Sequence, residues 1–485
     1  MNALVTGGAR SRLGELPILY RIAAVATGTL TGAGLGLMLV NRELVAAGAA
    51  CALAVLVVLG VRLAAPPPIR RPVGAIVGLS FAMHVAAATF IYFGSLALGR
   101  GGFVTGDDAT YARLSWAIAS YLLGDPQPPY VPPAWAGDEY LLGTWVYLES
   151  TIFVLFGPRV LLPLLLNAAF SAGLVLLILD LSRRLFGNTA ALLTAAITSF
   201  YPSLVLWSSL NLKDALALFL IALCLWCLTR FQSGVRWRAL AGVSVVLVLM
   251  ESLRWYVFVG LAIIVPIAVV VAPRLSVVRR IRWSAGAALM SASLIAFNGV
   301  GIGSGSDPFA TLESTRQNMA VNARTGFIDL PVRVQEGDGG STSLQSGPVR
   351  VQEGDGGSTS LQSGPAAATL RHLPTGIAYA LFAPFPWALR RVADWLTLPE
   401  MLLWYGLLAA LPWTLWRARR LWRSWSPLLL FVAGILLILA LTEGNVGTLY
   451  RHRAMVIPFV AVLAAPSLVT VGRWIGARFA RPWPV

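Results

Sequence analysis

PRVLLPLLLNAAFSAGLVLLILDLSRR, residues 158–184, decides the fold. From Val160 to Leu179 it carries no charge, shows no alternation of apolar and polar residues, and halts at Arg183-Arg184. An unbroken apolar run of about 20 residues is what crossing the hydrocarbon core of a bilayer requires. In lipid only helices and closed barrels satisfy every backbone group, and unbroken runs, unlike short alternating segments, form helices.

Runs of the same kind recur on both sides of it. They lie at about 17–40, 44–65, 73–97, 158–182, 186–206, 213–231, 237–252, 255–273, 284–302, 399–416, 426–442 and 453–471, which predicts about twelve transmembrane helices. Of the 485 residues 57% are hydrophobic and 12% charged, against roughly a quarter charged in soluble domains. The expected fold class is therefore an all-α polytopic membrane protein. The amino terminus lacks a short apolar core followed by a small-residue cleavage site, so the first span is expected to be a retained helix.

The net charge of +16 is distributed in a way that argues against nucleic acid as a partner. With the amino terminus placed inside, the arginine clusters Arg70-Arg71, Arg183-Arg184, Arg279-Arg280 and Arg417–Arg423 all fall on the inner side. All acidic residues except Glu15 and Asp180 then fall on or near the outer side. That is the cytoplasmic basic bias of membrane proteins. It predicts a multi-pass protein of a bacterial cytoplasmic membrane with both termini cytoplasmic. Of the three cysteines, Cys224 and Cys227 share one apolar run and read as buried thiols.

Two outer segments are long. The first, 98–157, holds TGDDATYARLSWAIASYLLG and then a Pro-rich stretch, and Tyr111 to Leu123 reads as an amphipathic helix on the outer leaflet. The second, 303–398, carries VRVQEGDGGSTSLQSGP at 332–348 and again at 349–365, a duplication too poor in apolar residues to order itself. After it, residues 372–396 read as a pair of interfacial helices broken at Pro384 and Pro386. The expected organisation is a two-helix hairpin over 1–72, a transmembrane core over 73–302, this outer region over 303–398, and helices with a basic cytoplasmic tail over 399–485.

Polar residues at outer helix ends are the candidates for chemistry. Asp107 and Asp108 follow the third span, and such a pair is either a solvated turn and helix cap or a general base with an orienting partner. Lys213, the sole lysine, adjoins Asp214 at the mouth of an apolar helix. An ionisable pair there is a functional candidate, the plain alternative being a snorkelling anchor. Tyr450-Arg451-His452-Arg453 opens the last span at the outer face, where guanidinium groups suit a phosphate or a headgroup. Arg254 is a weaker fourth member, and His84 reads as a hydrogen-bonded packing residue. The chain has no nucleotide-phosphate loop, HExxH or GxSxG. No cofactor and no metal are expected.

GDDATY at 106–111, LFG at 155–157, RLFG at 184–187, FYPSLVLWSSLNLKD at 200–214, LFAPFPW at 381–387 and GNVGTLYRHR at 444–453 occur in an order that resembles the GT-C class of polyprenyl-phosphate-sugar-dependent glycosyltransferases. The likeness is to its protein-mannosyltransferase and aminoarabinose-transferase branch, and it covers about 73–471. It implies Asp107 as catalytic base and Asp108 as the second acid, here Asp where Glu is common. It also implies Lys213, Arg254, Arg451 and Arg453 at the donor phosphate, with Tyr111, Asp214 and His452 in substrate binding. The implied partners are a polyprenyl-phosphate sugar donor, an envelope glycan, lipid or protein acceptor, and the bilayer, with the active site extracytoplasmic. Two extra amino-terminal helices and the duplicated loop depart from that pattern. A lipid-linked oligosaccharide polymerase or ligase, and a lipid or glycan flippase, are the alternatives. The second predicts charged sites at the bilayer midplane and repeated halves, whereas the ionisable residues here gather at the outer rim.

Overall fold

A computed structural model describes residues 16–125, 143–232, 237–273, 275–297, 365–388 and 397–479, together with 316 and 395. The Pro-rich stretch at 126–142 and the tandem duplication up to residue 364 lie outside the described residues. The protein is all-α: the described residues form seventeen α-helices and no β-strand. In chain order these are α1 (Leu16–Val40), α2 (Leu44–Ala64), α3 (Arg70–Ala97), α4 (Gly106–Leu122), α5 (Thr144–Phe156), α6 (Leu161–Phe186) and α7 (Asn188–Phe200). They continue with α8 (Pro202–Ser208), α9 (Asp214–Gln232), α10 (Trp237–Leu253), α11 (Trp255–Val270), α12 (Val277–Phe297) and α13 (Pro365–Phe382). The last four are α14 (Leu398–Arg417), α15 (Trp422–Thr442), α16 (Val446–Arg453) and α17 (Ile457–Phe479).

A helix stands at each of the twelve expected positions. Seven are long and apolar enough to cross a membrane, and the bent pair α7 and α8 would make an eighth. The run at 186–206, read as one span, is bent by 53° where α7 meets α8. The cause is Pro202, which removes an N–H and pushes the residue before it into extended backbone: Tyr201 sits at φ −69°, ψ 121°. Likewise α10 and α11, at 17 and 16 residues, are separated by Arg254 at φ −152°, ψ 89°. Both interruptions fall beside the candidate residues.

The two Leu-Phe-Gly motifs have a backbone explanation. Gly157 ends α5 at φ +76° and Gly187 ends α6 at φ +87°. A left-handed φ is costly for any residue with a Cβ, so each motif is a helix stop that turns the chain sharply.

The described chain divides into two compact units, one of residues 1–300, 386–435 and 453–485, the other of 301–385 and 436–452. In the first, α1, α2, α3, α6 and α7 share a core that includes Met38, Val73, Val77, Leu165, Leu179 and Ala195. At about 25 cal/mol per Å² of apolar surface removed from water, such helices insert readily. Helix–helix cohesion inside lipid then comes from packing and buried polar contacts. Helix α17 packs on α6, α7 and α14, and from Ile457 to Ala465 it is enclosed. In the second unit α13 packs against the end of α15 so tightly that a Cβ at Gly376 would run into the Ala440 carbonyl. His84 accepts its expected role, with its ring nitrogen 2.7 Å from the Ser80 carbonyl in the buried face of α3. Cys224 and Cys227 are buried free thiols.

Candidate functional site

The site is built from the start of α4 outward. Thr105 caps the helix by accepting the Asp108 N–H at 3.2 Å, and the Asp108 carboxylate returns the bond to the Thr105 N–H at 3.0 Å. This reciprocal box satisfies two donors that a helix start leaves over. The same carboxylate also accepts the Val104 N–H at 2.8 Å and the Ala109 N–H at 2.8 Å. Asp108 is 2% exposed and both its oxygens are engaged by backbone. Asp107, one residue back, is exposed in the first turn of α4, where the helix dipole favours a negative charge. The two readings of the acidic pair therefore divide between its members: Asp108 completes the capping box with Thr105, and Asp107 is the carboxylate presented outward.

Beneath this turn lies a buried acid that the sequence reading passed over. Glu149 on α5 is completely buried, accepting the Ser115 hydroxyl at 2.9 Å and the Asn211 amide at 2.8 Å. Asn211 also donates to the Asp108 carbonyl at 3.2 Å. One side chain thus ties the loop after α8 both to the acidic turn and to α5. Helix α5 is too short to cross a bilayer, and burial in it pushes the Glu149 carboxyl up to about 7, against the opposing pull of its two donors. Asn167, buried in α6, completes the support by donating to the carbonyls of Leu210 at 3.0 Å and Leu212 at 2.9 Å. The start of α5 is clamped in turn. Thr144 bonds the Leu249 carbonyl at 3.0 Å and the Ser252 hydroxyl at 2.8 Å, and a Cβ at Gly143 would collide with the Ser252 carbonyl.

This loop sets the next two candidates. Lys213 is half-buried with its ammonium 5.7 Å from the centre of the Tyr111 ring, a cation–π distance. Tyr111 itself is 4% exposed on the buried face of α4. Asp214, the first residue of α9, pairs with Arg254 at 2.5 Å, and Arg254 donates to the Tyr256 hydroxyl at 2.6 Å. Both partners of the pair are nearly enclosed, as befits a charge set between two short helices. So Asp107, Asp108, Tyr111, Lys213, Asp214 and Arg254 belong to the first unit, with Asn211 and Tyr111 as the links among them.

The Tyr450–Arg453 cluster divides. Arg453, in the first unit, is 1% exposed, 5.3 Å over the Trp404 ring and 2.9 Å from the Met401 sulfur. Beside it Glu400 accepts the Ser203 N–H at 2.9 Å, and the Tyr201 hydroxyl donates to the Glu400 carbonyl at 3.3 Å. Arg451 and His452 belong to the second unit, where both are half-buried and the His452 ring lies 2.5 Å from Glu443. Among the described residues no group of three or more His, Cys, Asp or Glu side chains is disposed to hold a metal ion.

No protein-family model matches the chain, and no curated protein matches it. Among solved structures the chain is similar to the archaeal oligosaccharyltransferase AglB from Archaeoglobus fulgidus, in complex with an inhibitory peptide and a dolichol-phosphate. The likeness has 15% sequence identity and a TM-score of 0.44, and it covers 85% of this chain and 52% of that one. The chain spans about half the length of that structure.

Proposed function

We propose that the protein is a membrane glycosyltransferase that moves a sugar from a polyprenyl-phosphate-linked donor to an envelope glycan, lipid or protein, at the extracytoplasmic face and with inversion. The observation that carries this reading is the unequal acidic turn: a buried, backbone-locked Asp108 holds an exposed Asp107 at a helix start, close to the loop that carries Lys213. Asp107 takes the proton from an acceptor hydroxyl as its oxygen attacks the anomeric carbon. The bond from that carbon to the phosphate oxygen breaks, and the polyprenyl phosphate leaves with the added negative charge. Lys213 stabilises that charge more in the transition state than in the ground state. Arg254, already neutralised by Asp214, serves chiefly to hold α9 and α11 in register around it. The assignment of Arg451 and Arg453 to the donor phosphate, and of His452 to substrate, rests on the sequence motif and is proposed on that ground.

A well-placed general base contributes roughly 10²–10⁴-fold. The test is transfer of labelled sugar from a panel of polyprenyl-phosphate donors by membranes carrying wild type or Asp107→Asn at matched expression. Transfer that falls by that factor in the variant supports the reading. Equal transfer by both removes Asp107 from the chemistry. No transfer with any donor or acceptor turns attention to the polymerase and flippase readings.

A further inference from the structure

At the end of the first unit where α6, α9 and α11 finish and α15 begins, a cavity of about 250 Å³ opens among Leu181, Arg184, Thr229, Arg230, Pro273 and Ser424. We propose that this cavity binds the phosphate of an anionic phospholipid headgroup. The arginines at the end of α6, Arg183-Arg184, and those at the start of α15, within Arg417–Arg423, are ones the charge bias assigns to the cytoplasmic side, so the lipid belongs to that leaflet.

The electrostatics of the wall are preset. Asp180, 6% exposed, accepts Arg183 at 2.6 Å, Arg184 at 2.6 Å, the Trp226 indole at 2.9 Å and Arg230 at 3.2 Å. Three guanidinium groups around one carboxylate leave a net charge of +2. Helix carboxyl ends are partly negative, but two full positive charges outweigh those partial ones. Arg230 also stacks at 4.1 Å over the Trp226 ring. Asp180 therefore acts as a jig: it fixes the guanidinium groups of Arg184 and Arg230, on adjacent helices, at the cavity wall. Guanidinium groups so fixed suit a phosphate, which they bind bidentately.

Size and lining select the headgroup. Sites for whole small molecules are typically about 300–1,000 Å³, so this one is short of room for a nucleotide-linked sugar and ample for a phosphodiester. Leu181, Leu185 and Pro273 form the apolar part of the wall, which suits the glycerol and first acyl carbons. Basic pockets between helices at a membrane surface hold lipid headgroups by this combination.

The test uses the full chain purified in detergent. Phosphatidylglycerol or phosphatidylcholine is added and retained lipid is counted by native mass spectrometry. Wild type should retain phosphatidylglycerol in preference. Retention should fall about tenfold in Arg230→Gln, as expected for one lost charge-assisted contact. Ser424→Leu, which occupies the cavity and leaves the Asp180 pairs intact, guards against misfolding of the arginine variant and should show the same loss. Arg419→Gln, an exposed arginine near the same end, should retain lipid as wild type does. Equal retention by all the proteins, or an equal fall in Arg419→Gln, overturns the proposal in favour of diffuse surface attraction. A parallel arm adds inorganic phosphate without lipid and reads the thermal midpoint. Protection by free phosphate that vanishes in Ser424→Leu, with no preference for phosphatidylglycerol, overturns the lipid source and assigns the cavity to the free ion.

Discussion

Glu149→Gln isolates the buried acid beneath the acidic turn. In wild type, burial holds the Glu149 carboxyl at about 7, well above its ordinary value near 4.5. The folded protein therefore binds a proton between those limits that the unfolded chain has released. Stability is fully present below about 4.5, is lost as pH rises through about 7, and is flat beyond it. The difference amounts to about 3 kcal/mol across the window, without discount for solvent, since Glu149 is completely enclosed. Glutamine reproduces the protonated acid. Its carbonyl accepts the Asn211 amide, and its NH₂ donates to the Ser115 oxygen, whose own hydroxyl turns to the Val146 carbonyl at 3.3 Å. The variant should be as stable as wild type near pH 4, and by pH 8 it should be the more stable of the two by up to about that amount. Thermal midpoints of detergent-solubilised protein from pH 4 to pH 8, for both proteins side by side, read this directly. The same slope in both would mean that Glu149 does not carry the titration, and the account of the buried acid would fail.

Asp108→Ala removes the acceptor of three backbone N–H groups; loss of such a cap should cost about 1–2 kcal/mol. Transfer should fall with it although Asp107 is intact, measured as midpoint and turnover on one preparation. Arg254→Gln breaks a nearly buried ion pair with Asp214 and should destabilise by about 3–5 kcal/mol; the double variant with Asp214→Asn should recover most of that in a thermal double-mutant cycle. Lys213→Met keeps the length of the stem and removes the charge. It should lower transfer at saturating donor by about tenfold or more, and an unchanged kcat would take Lys213 away from the leaving phosphate.

The helices were legible because a bilayer imposes length and apolarity on each of them, and both properties are written along the chain. The break at Arg254 was legible too, falling between the runs at 237–252 and 255–273, but the one at Tyr201-Pro202 was not, since hydropathy runs on through it without a pause. The available signal was the proline itself, whose predecessor cannot stay helical without strain. The acidic pair was legible as two alternatives, and only the geometry assigns the capping box to Asp108. Glu149, Asn167 and Asn211 were invisible for a shared reason. Each is a single polar residue in apolar surroundings, and its partners are distant in sequence: Asn211 reaches Asp108 and Glu149, and Asn167 reaches Leu210. A lone Glu inside TWVYLESTIF was the one clue, because an ionisable group in such a run needs a reason. Arg453 shows the converse, as its motif suggested an outer-rim cation and its side chain is wholly enclosed against Trp404.

The enclosed half of α17 bears on how the chain is made. Synthesis runs from the amino end, so α6 and α7 enter the membrane long before the helix that covers them. From Ile457 to Ala465 that helix fills a slot between early and late elements. At roughly 5–20 residues per second, the slot stands empty for on the order of tens of seconds. During that interval lipid or an insertion chaperone must occupy the place of Phe459 and Val460. A nascent chain halted ahead of residue 457 should therefore remain in the keeping of the insertion machinery, and release should coincide with arrival of the last helix.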